Sequence, residues 1–296
     1  MKSFTTNSPT MYDDYVELDS VRLQVDRIDR KRNECDDNVM AIFHEEQPFT
    51  WQFVKSYVKE ALIEATGTVD FLDVGCGSGV FGLLMAKHFN ARVTAIDKSK
   101  RAVDFAKKNA ILNGLELQVQ HGVYSQSSVP ERSAKVIGLY PPYHIYPSSV
   151  EEKIPQHARG GSDGQGEFKN QLTIADYHLA ENGILFFNQM CLGDEFGPRF
   201  LRYIPQLITG DPSIVYTNVL PSISTLEFLE SVYQGKYSSF VDEVSSQNPL
   251  IYYNVGIVKR DGNGTSVCVE HNIDLKGRTW KDRIKLHREI ARHEFK

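Results

Sequence analysis

The sequence predicts an α/β protein with a parallel sheet covered by helices on both faces, and three observations predict it. From residue 69 onward, short aliphatic runs alternate with segments of helical periodicity. A glycine-rich turn, Asp73-Val74-Gly75-Cys76-Gly77-Ser78-Gly79, joins the first run to the first of these helices. A carboxylate, Asp97, ends the second run, where open α/β sheets bind their ligands.

Taken in order, residues 1–49 form an N-terminal extension with an alternating run, Tyr15–Val25, that suits a short hairpin. Phe53, Val54, Val58, Ala61 and Leu62 recur at helical spacing, predicting a helix over 50–65 with Thr50 as its N-cap and Gly67 as its stop. The alternation follows: strand 69–74, helix 79–89, strand 92–97, helix 99–113 closed by Gly114, strand 115–121, strand 135–140, helix 170–180 and strand 183–190. Connections of this kind place successive strands parallel. The last strands are expected at 213–219 and 251–259, and the 26 residues 222–247 between them read as a helical insertion lying over the site as a lid. The main domain spans 50–274. The segment 275–296 carries eight Lys/Arg against three Asp/Glu, and Ile284, Ala291 and Phe295 share a helical face, which reads as a basic, solvated end-helix.

Composition narrows the classes. The 296 residues are 41% hydrophobic and 24% charged, so a packed core is expected and disorder is not. A net charge of −5 argues against a chain-wide electrostatic grip on nucleic acid. The longest apolar stretches, 183–190 and 250–258, fall well short of the roughly 18–20 residues a membrane helix needs, and 1–14 lack an apolar signal core, making a cytoplasmic address the default. Cys35, Cys76, Cys191 and Cys268 stand apart with no C-x-x-C pair, and the histidines have no metal-ligand spacing, so neither a disulfide framework nor a metal site is expected.

The glycine turn carries the sharpest signal. Alternate glycines let a backbone bend tightly and lie against a ligand where a Cβ would collide. A dinucleotide fold wants G-x-G-x-x-G, but counting from Gly75 puts Val80 at the third glycine, which weakens a nicotinamide reading. With Asp73 leading, the string resembles the D-x-G-x-G-x-G motif of class I S-adenosylmethionine-dependent methyltransferases. That resemblance implies a Rossmann-like seven-stranded sheet and S-adenosyl-L-methionine as cofactor. It places Asp73, Gly75, Cys76, Gly77 and Gly79 along the donor, and Asp97, followed by Lys98, at the ribose. As an alternative, Asp97 only caps the helix that begins near Ser99. Where family members often carry an adenine-binding acid after Gly122, this chain has Val123, so adenine is expected to rest on backbone amides and apolar contact.

After the fourth strand comes Leu139-Tyr140-Pro141-Pro142-Tyr143, at the position where amino-methylating members carry Asn/Asp-Pro-Pro-Tyr/Phe. The resemblance continues through Arg159-Gly160-Gly161-Ser162-Asp163-Gly164 and ADYHLAENGILFF (175–187), similar to the release-factor glutamine methyltransferase branch. It implies an acceptor wall of Tyr140, Pro141, Pro142 and Tyr143, with Asp163 as a further substrate contact or an ordinary turn residue. Tyr140 departs from the family, because a phenol does not reproduce a carboxamide's acceptor at the same depth. It either bonds a different acceptor, shapes the sulfonium pocket, closes the amide site or simply packs. His144 is a candidate for the proton lost on transfer, or an ordinary hydrogen-bonded residue.

The expected activity is methylation of a small-molecule or peptide-like acceptor, on nitrogen in preference to oxygen, with Tyr140, Tyr143 and His144 as catalytic candidates. Two other readings stay open. One has the same donor losing its aminocarboxypropyl arm, by transfer or cyclisation, with release of methylthioadenosine. The other is a non-catalytic binding module.

Overall fold

The computed structural model describes residues 10–11, 15–26, 42–63 and 69–292. Three short strands, β1 (Thr10–Met11), β2 (Val16–Leu18) and β3 (Val21–Leu23), form a small antiparallel sheet containing the expected hairpin. Asp19 in its turn takes φ 47° and accepts hydrogen bonds from Trp51 Nε1 and Lys55 Nζ, both at 2.7 Å, pinning the hairpin to α1 (Gln47–Ile63). That helix begins earlier than expected. The turn at 44–46 feeds it, Phe43 N–H is satisfied by Gln47 Oε1 at 3.1 Å, and Thr50 lies inside, fully buried, with its hydroxyl accepting from Asn188. Thr50 is therefore not the cap, and Gly67 and Phe295 lie outside the described residues.

The central unit then runs β4 (Val69–Val74), α2 (Val80–Phe89), β5 (Val93–Asp97), α3 (Lys100–Asn113), β6 (Gln118–His121), β7 (Ala134–Leu139), α4 (Gly166–His178) and β8 (Leu179–Asp194). It continues with β9 (Gly197–Pro198), α5 (Phe200–Leu207), β10 (Ser213–Ser224), α6 (Thr225–Tyr233), α7 (Ser238–Gln247), β11 (Leu250–Lys259), β12 (Ser266–Cys268) and α8 (Trp280–Ala291). The third strand starts later than expected, because Gly114 and Leu115 donate back to Ala110 and spend 114–117 finishing α3.

Seven strands lie in the order β10-β11-β8-β7-β4-β5-β6, with β12 beside β10 and β9 beside β8. Numbered along the chain, that path reads 6-7-5-4-1-2-3, the doubly wound order with one strand inserted before its last. The inserted β11 runs antiparallel to both neighbours, so the parallel expectation holds only from β8 to β6. Side-chain alternation splits the core between the two faces. Phe71, Val93, Ala95, Val136 and Phe186 pack under α1, α2 and α3, whereas Leu72, Val74, Ile96, Ile137 and Leu185 pack under α4 and α5.

No helix among the described residues is long and apolar enough to cross a membrane. The end-helix expectation needs correction. α8 is amphipathic, but its inner face, Arg283, His287, Ile290 and Ala291, is buried, and it leans on α6. Asp282 accepts from the Thr279 N–H at 2.9 Å and so opens this helix with a charge-assisted cap.

Candidate functional site

A cleft of about 290 Å³ opens at the carboxyl ends of β4, β5 and β7, on the switch point between the two halves of the sheet. One end is the glycine turn. Gly75, Gly77 and Gly79 take φ of 68°, 53° and 78°, left-handed backbone that costs an L side chain roughly 1–2 kcal/mol. Gly75 and Cys76 donate to the Ile96 carbonyl at 2.9 and 3.1 Å, tying the turn to β5. Asp97 fastens it from the other side, its Oδ2 accepting from Gly77 N–H at 2.9 Å and its Oδ1 from Ser99 N–H at 2.8 Å. Ser99 Oγ in turn accepts from Ala102 N–H and caps α3. Asp97 therefore positions Ser99, which is the cap of α3, and it also lines the cleft.

Asp73 has a different task. It is fully buried under the turn, and its Oδ2 accepts from the Gly82 N–H at 2.9 Å in the first turn of α2. Burial pushes its carboxyl up to about 7; the Gly82 N–H opposes this and the charge of Asp97 adds to it. Asp73, Cys76 and Gly79 shape the turn without lining the cleft, whereas Gly75, Gly77, Asp97, Lys98 and Val123 do line it. The Val123 side chain is 74% exposed at the rim, so it supplies little apolar cover.

Across the cleft stands the Tyr140–Tyr143 wall. The Tyr140 ring lies flat on Phe81, 4.4 Å between centroids at 7°, and edge-on to Phe186. Among the described residues its hydroxyl has no hydrogen-bond partner. Burial and then the charge of Asp73 push the phenol well above its ordinary range, so it stands as a neutral donor beside the glycine turn. Pro141 and Pro142 also line the cleft. The loop is held from behind by the Gly160–Gly164 run. A Cβ on Gly160 would lie 2.7 Å from both the Tyr143 carbonyl carbon and the His144 oxygen, so only glycine permits this approach. Asp163 belongs to that run and does not line the cleft. It accepts from the Gln165 N–H at 2.8 Å and pairs with Lys169 at 2.9 Å, opening α4.

Tyr143 and His144 are tied into a buried network that the sequence reading did not find. The Tyr143 hydroxyl donates to Glu46 Oε1 at 2.6 Å and accepts from Arg283. Arg283 also reaches Glu46 at 2.7 Å and Glu45 at 3.4 Å, and its guanidinium lies 4.7 Å from the Tyr253 ring. Burial works against this cation, but the two phenols and two carboxylates around it prevail and hold it charged. His144 Nδ1 lies 2.7 Å from His287 Nδ1, and both rings are buried and line the cleft. Burial, the neighbouring His144 and Arg283 together hold His287 well below the usual imidazole range, so it is neutral near pH 7.

The lid expected from 222–247 is not found over the cleft: no residue of that segment lines it, and α8 and residues 42–47 do. α6 sits behind, with Tyr233 donating to the Ile145 carbonyl. Sequence spacing held no signal for Glu46, Arg283 and His287, because each is a single charged or polar residue more than 90 positions from Tyr143.

A family model described as methyltransferase small domain matches residues 57–168, which contain the glycine turn, Asp97, the Tyr140–Tyr143 wall and Gly160–Gly164. The release factor glutamine methyltransferase of Flavobacterium psychrophilum is 31% identical over 151 residues, 48% of this chain and 53% of the relative. That of Geobacter sulfurreducens is 29% identical over 136 residues, 43% of this chain and 48% of the relative. The chain thus spans about half the length of these curated relatives. Among solved structures, a geranyl diphosphate C-methyltransferase from Streptomyces coelicolor, crystallised with magnesium, geranyl diphosphate and S-adenosyl-L-homocysteine, is similar at a TM-score of 0.42 and 11% identity, over 73% of this chain and 81% of that one.

Proposed function

We propose that the chain is an S-adenosyl-L-methionine-dependent methyltransferase acting on a nitrogen of a peptide-like or small acceptor. The observation that carries this reading is the cleft itself, where a turn with glycine at every second position and the Asp97 carboxylate face the Tyr140–Tyr143 wall across one cavity. The residues present suit the donor. The left-handed glycines leave a backbone cradle, Asp97 offers oxygens for sugar hydroxyls, and the neutral Tyr140 hydroxyl borders the same space. The similarity to release factor glutamine methyltransferases supports nitrogen and a peptide-like acceptor.

The bound donor supplies an electrophilic methyl group on a sulfonium. The protein's part is placement and exclusion of water. Pro141 and Pro142 fix the wall, while Glu46 and Arg283 clamp the Tyr143 phenol so that its ring keeps one orientation. A neutral nitrogen loses a proton when it is methylated, and the His144–His287 pair is placed to receive it. His287 is uncharged, and its Nε2 has no partner among the described residues. On this proposal His144 stays the base candidate, with the His287 ring at its Nδ1.

Calorimetry with S-adenosylhomocysteine tests the donor assignment. Asp97→Ala should weaken binding at least tenfold, about 1.4 kcal/mol, and unchanged affinity removes the ribose assignment. Mass spectrometry of turnovers against glutamine-containing peptides should show adenosylhomocysteine. Methylthioadenosine in its place would refute methyl transfer.

A further inference from the structure

Two buried histidines join α8 to the loop after the Tyr140–Tyr143 wall. His287, on the inner face of α8, and His144, in the loop, are 1% and 2% exposed, and their Nδ1 atoms lie 2.7 Å apart. A nitrogen pair at that distance shares one hydrogen: one ring donates it and the other presents a bare Nδ1. The bond survives one added proton, taken at the donor ring's Nε2. It does not survive a second, which has only the bare Nδ1 left to occupy and sets two N–H groups and two cations against each other.

Among the described residues no carboxylate bonds the His287 ring. Arg283, one turn earlier on α8, is itself a held cation. Phe228 of α6 meets His287 edge-on at 5.3 Å, Tyr143 lies 5.9 Å from it, and Tyr146 and Tyr233 flank His144 at 6.1 and 6.4 Å. Glu46 is taken up by Arg283 and the Tyr143 hydroxyl, and Glu45 by Arg283 and Arg278. His157 and Glu289 line the cleft with the pair, but neither bonds His287. Burial, then His144 and Arg283, hold His287 well below the usual imidazole range.

α8 supplies Leu286, His287, Glu289 and Ile290 to the cleft, so whatever holds this helix down holds one wall of the cavity. We propose that the His144–His287 pair is a pH-sensitive catch: when both rings are protonated it lets go, and α8 parts from the Tyr143–His144 loop on that side of the cleft. Separated imidazoles protonate as pH falls through about 6.5, whereas the docked pair takes one proton at most. The parted state therefore binds at least one proton more, and each pH unit below about 6.5 favours it roughly tenfold. Above that value the docked wall keeps its full stability. The other ties of α8, from Arg288 to the Ser231 carbonyl at 2.9 Å and from Trp280 to that of Pro221, do not titrate in this range.

Hydrogen exchange of the full chain, read by mass spectrometry and corrected for the pH dependence of the intrinsic rate, tests this. Between about pH 7.5 and about pH 5.5, protection of α8 and of residues 143–146 should fall roughly tenfold, while that of α3 stays within about twofold. His287→Gln can donate to His144 or accept from it and carries no charge, so in this variant the fall should shrink below about threefold. His144→Gln, made on the other side of the seam, should do the same. A wild-type α8 whose protection ignores pH, or falls in step with α3, overturns the catch. So does a fall above about threefold in either variant, and so does an α8 left unprotected in both variants at the higher pH.

Discussion

Arg283 is the residue whose removal should cost most. It sits in the interior with no exposed surface, 2.7 Å from Glu46 and 3.4 Å from Glu45, which are themselves 7% and 2% exposed. Arg283→Met fills much of the space but leaves Glu46 in a dry environment without its cation, and Glu45 with Arg278 alone, at 3.6 Å. Breaking a buried pair from one side costs about 3–5 kcal/mol, because the stranded charge pays its desolvation in full. For a chain of this size, at roughly 2–4 °C per kcal/mol, the melting temperature should fall by about 10 °C. Adding Glu46→Gln removes one stranded charge, so the double variant should be more stable than Arg283→Met alone. Thermal and urea unfolding followed by circular dichroism give the comparison. A loss below about 1 kcal/mol in Arg283→Met, or a double variant as unstable as the sum of the two singles, would refute the network as the tie between α8 and the Tyr143 loop.

Two other outcomes follow from the same site. Asp73 binds its proton more tightly when folded, up to about 7 against 3.8 in the unfolded chain, so the stability it contributes is whole below about pH 4 and drains away as pH rises towards 7. Asp73→Asn should flatten that slope between pH 4 and 7, measured by urea midpoints across pH, and an unaltered slope would show that Asp73 is not its source. Gly160→Ala drives a methyl group to 2.7 Å from the Tyr143 carbonyl carbon, displacing the wall while leaving the glycine turn alone. Methyl transfer to peptides should fall at least tenfold with adenosylhomocysteine affinity held within about twofold, and equal losses in both would refute the division into a donor end and an acceptor end.

The glycine-turn end of the cleft was the legible part of the molecule. Its residues are local: Asp73 to Gly79 form one turn, and Asp97 ends the next strand, so period-2 and glycine signals place them without tertiary knowledge. The roles inside the motif were less legible. Asp73 and Gly79 are set by what lies beneath the turn, and Asp163 by the N–H groups and lysine at the start of α4. The helix boundary at Gln47 and the long β8 escaped because tertiary burial overrides capping preference, as the buried Thr50 shows. α5 escaped because Pro205 interrupts a helix only eight residues long. The α8 side of the cleft was hidden for a different reason. A basic helix with Arg283 and His287 reads as a solvated surface until partners 143 and 237 positions away turn those two side chains inward.

That separation has a consequence for how the molecule comes together. Contacts spanning most of a chain are late to form, since each must close a long loop before it yields any stabilisation. The glycine-turn half of the cavity needs only a consecutive stretch of strands and helices, but the half bounded by Tyr143 and His144 waits for α8 to dock against residues 45 and 46. A chain caught between those stages would carry the glycine turn with one side of the cleft open to solvent, so docking of that last helix decides when the cavity closes.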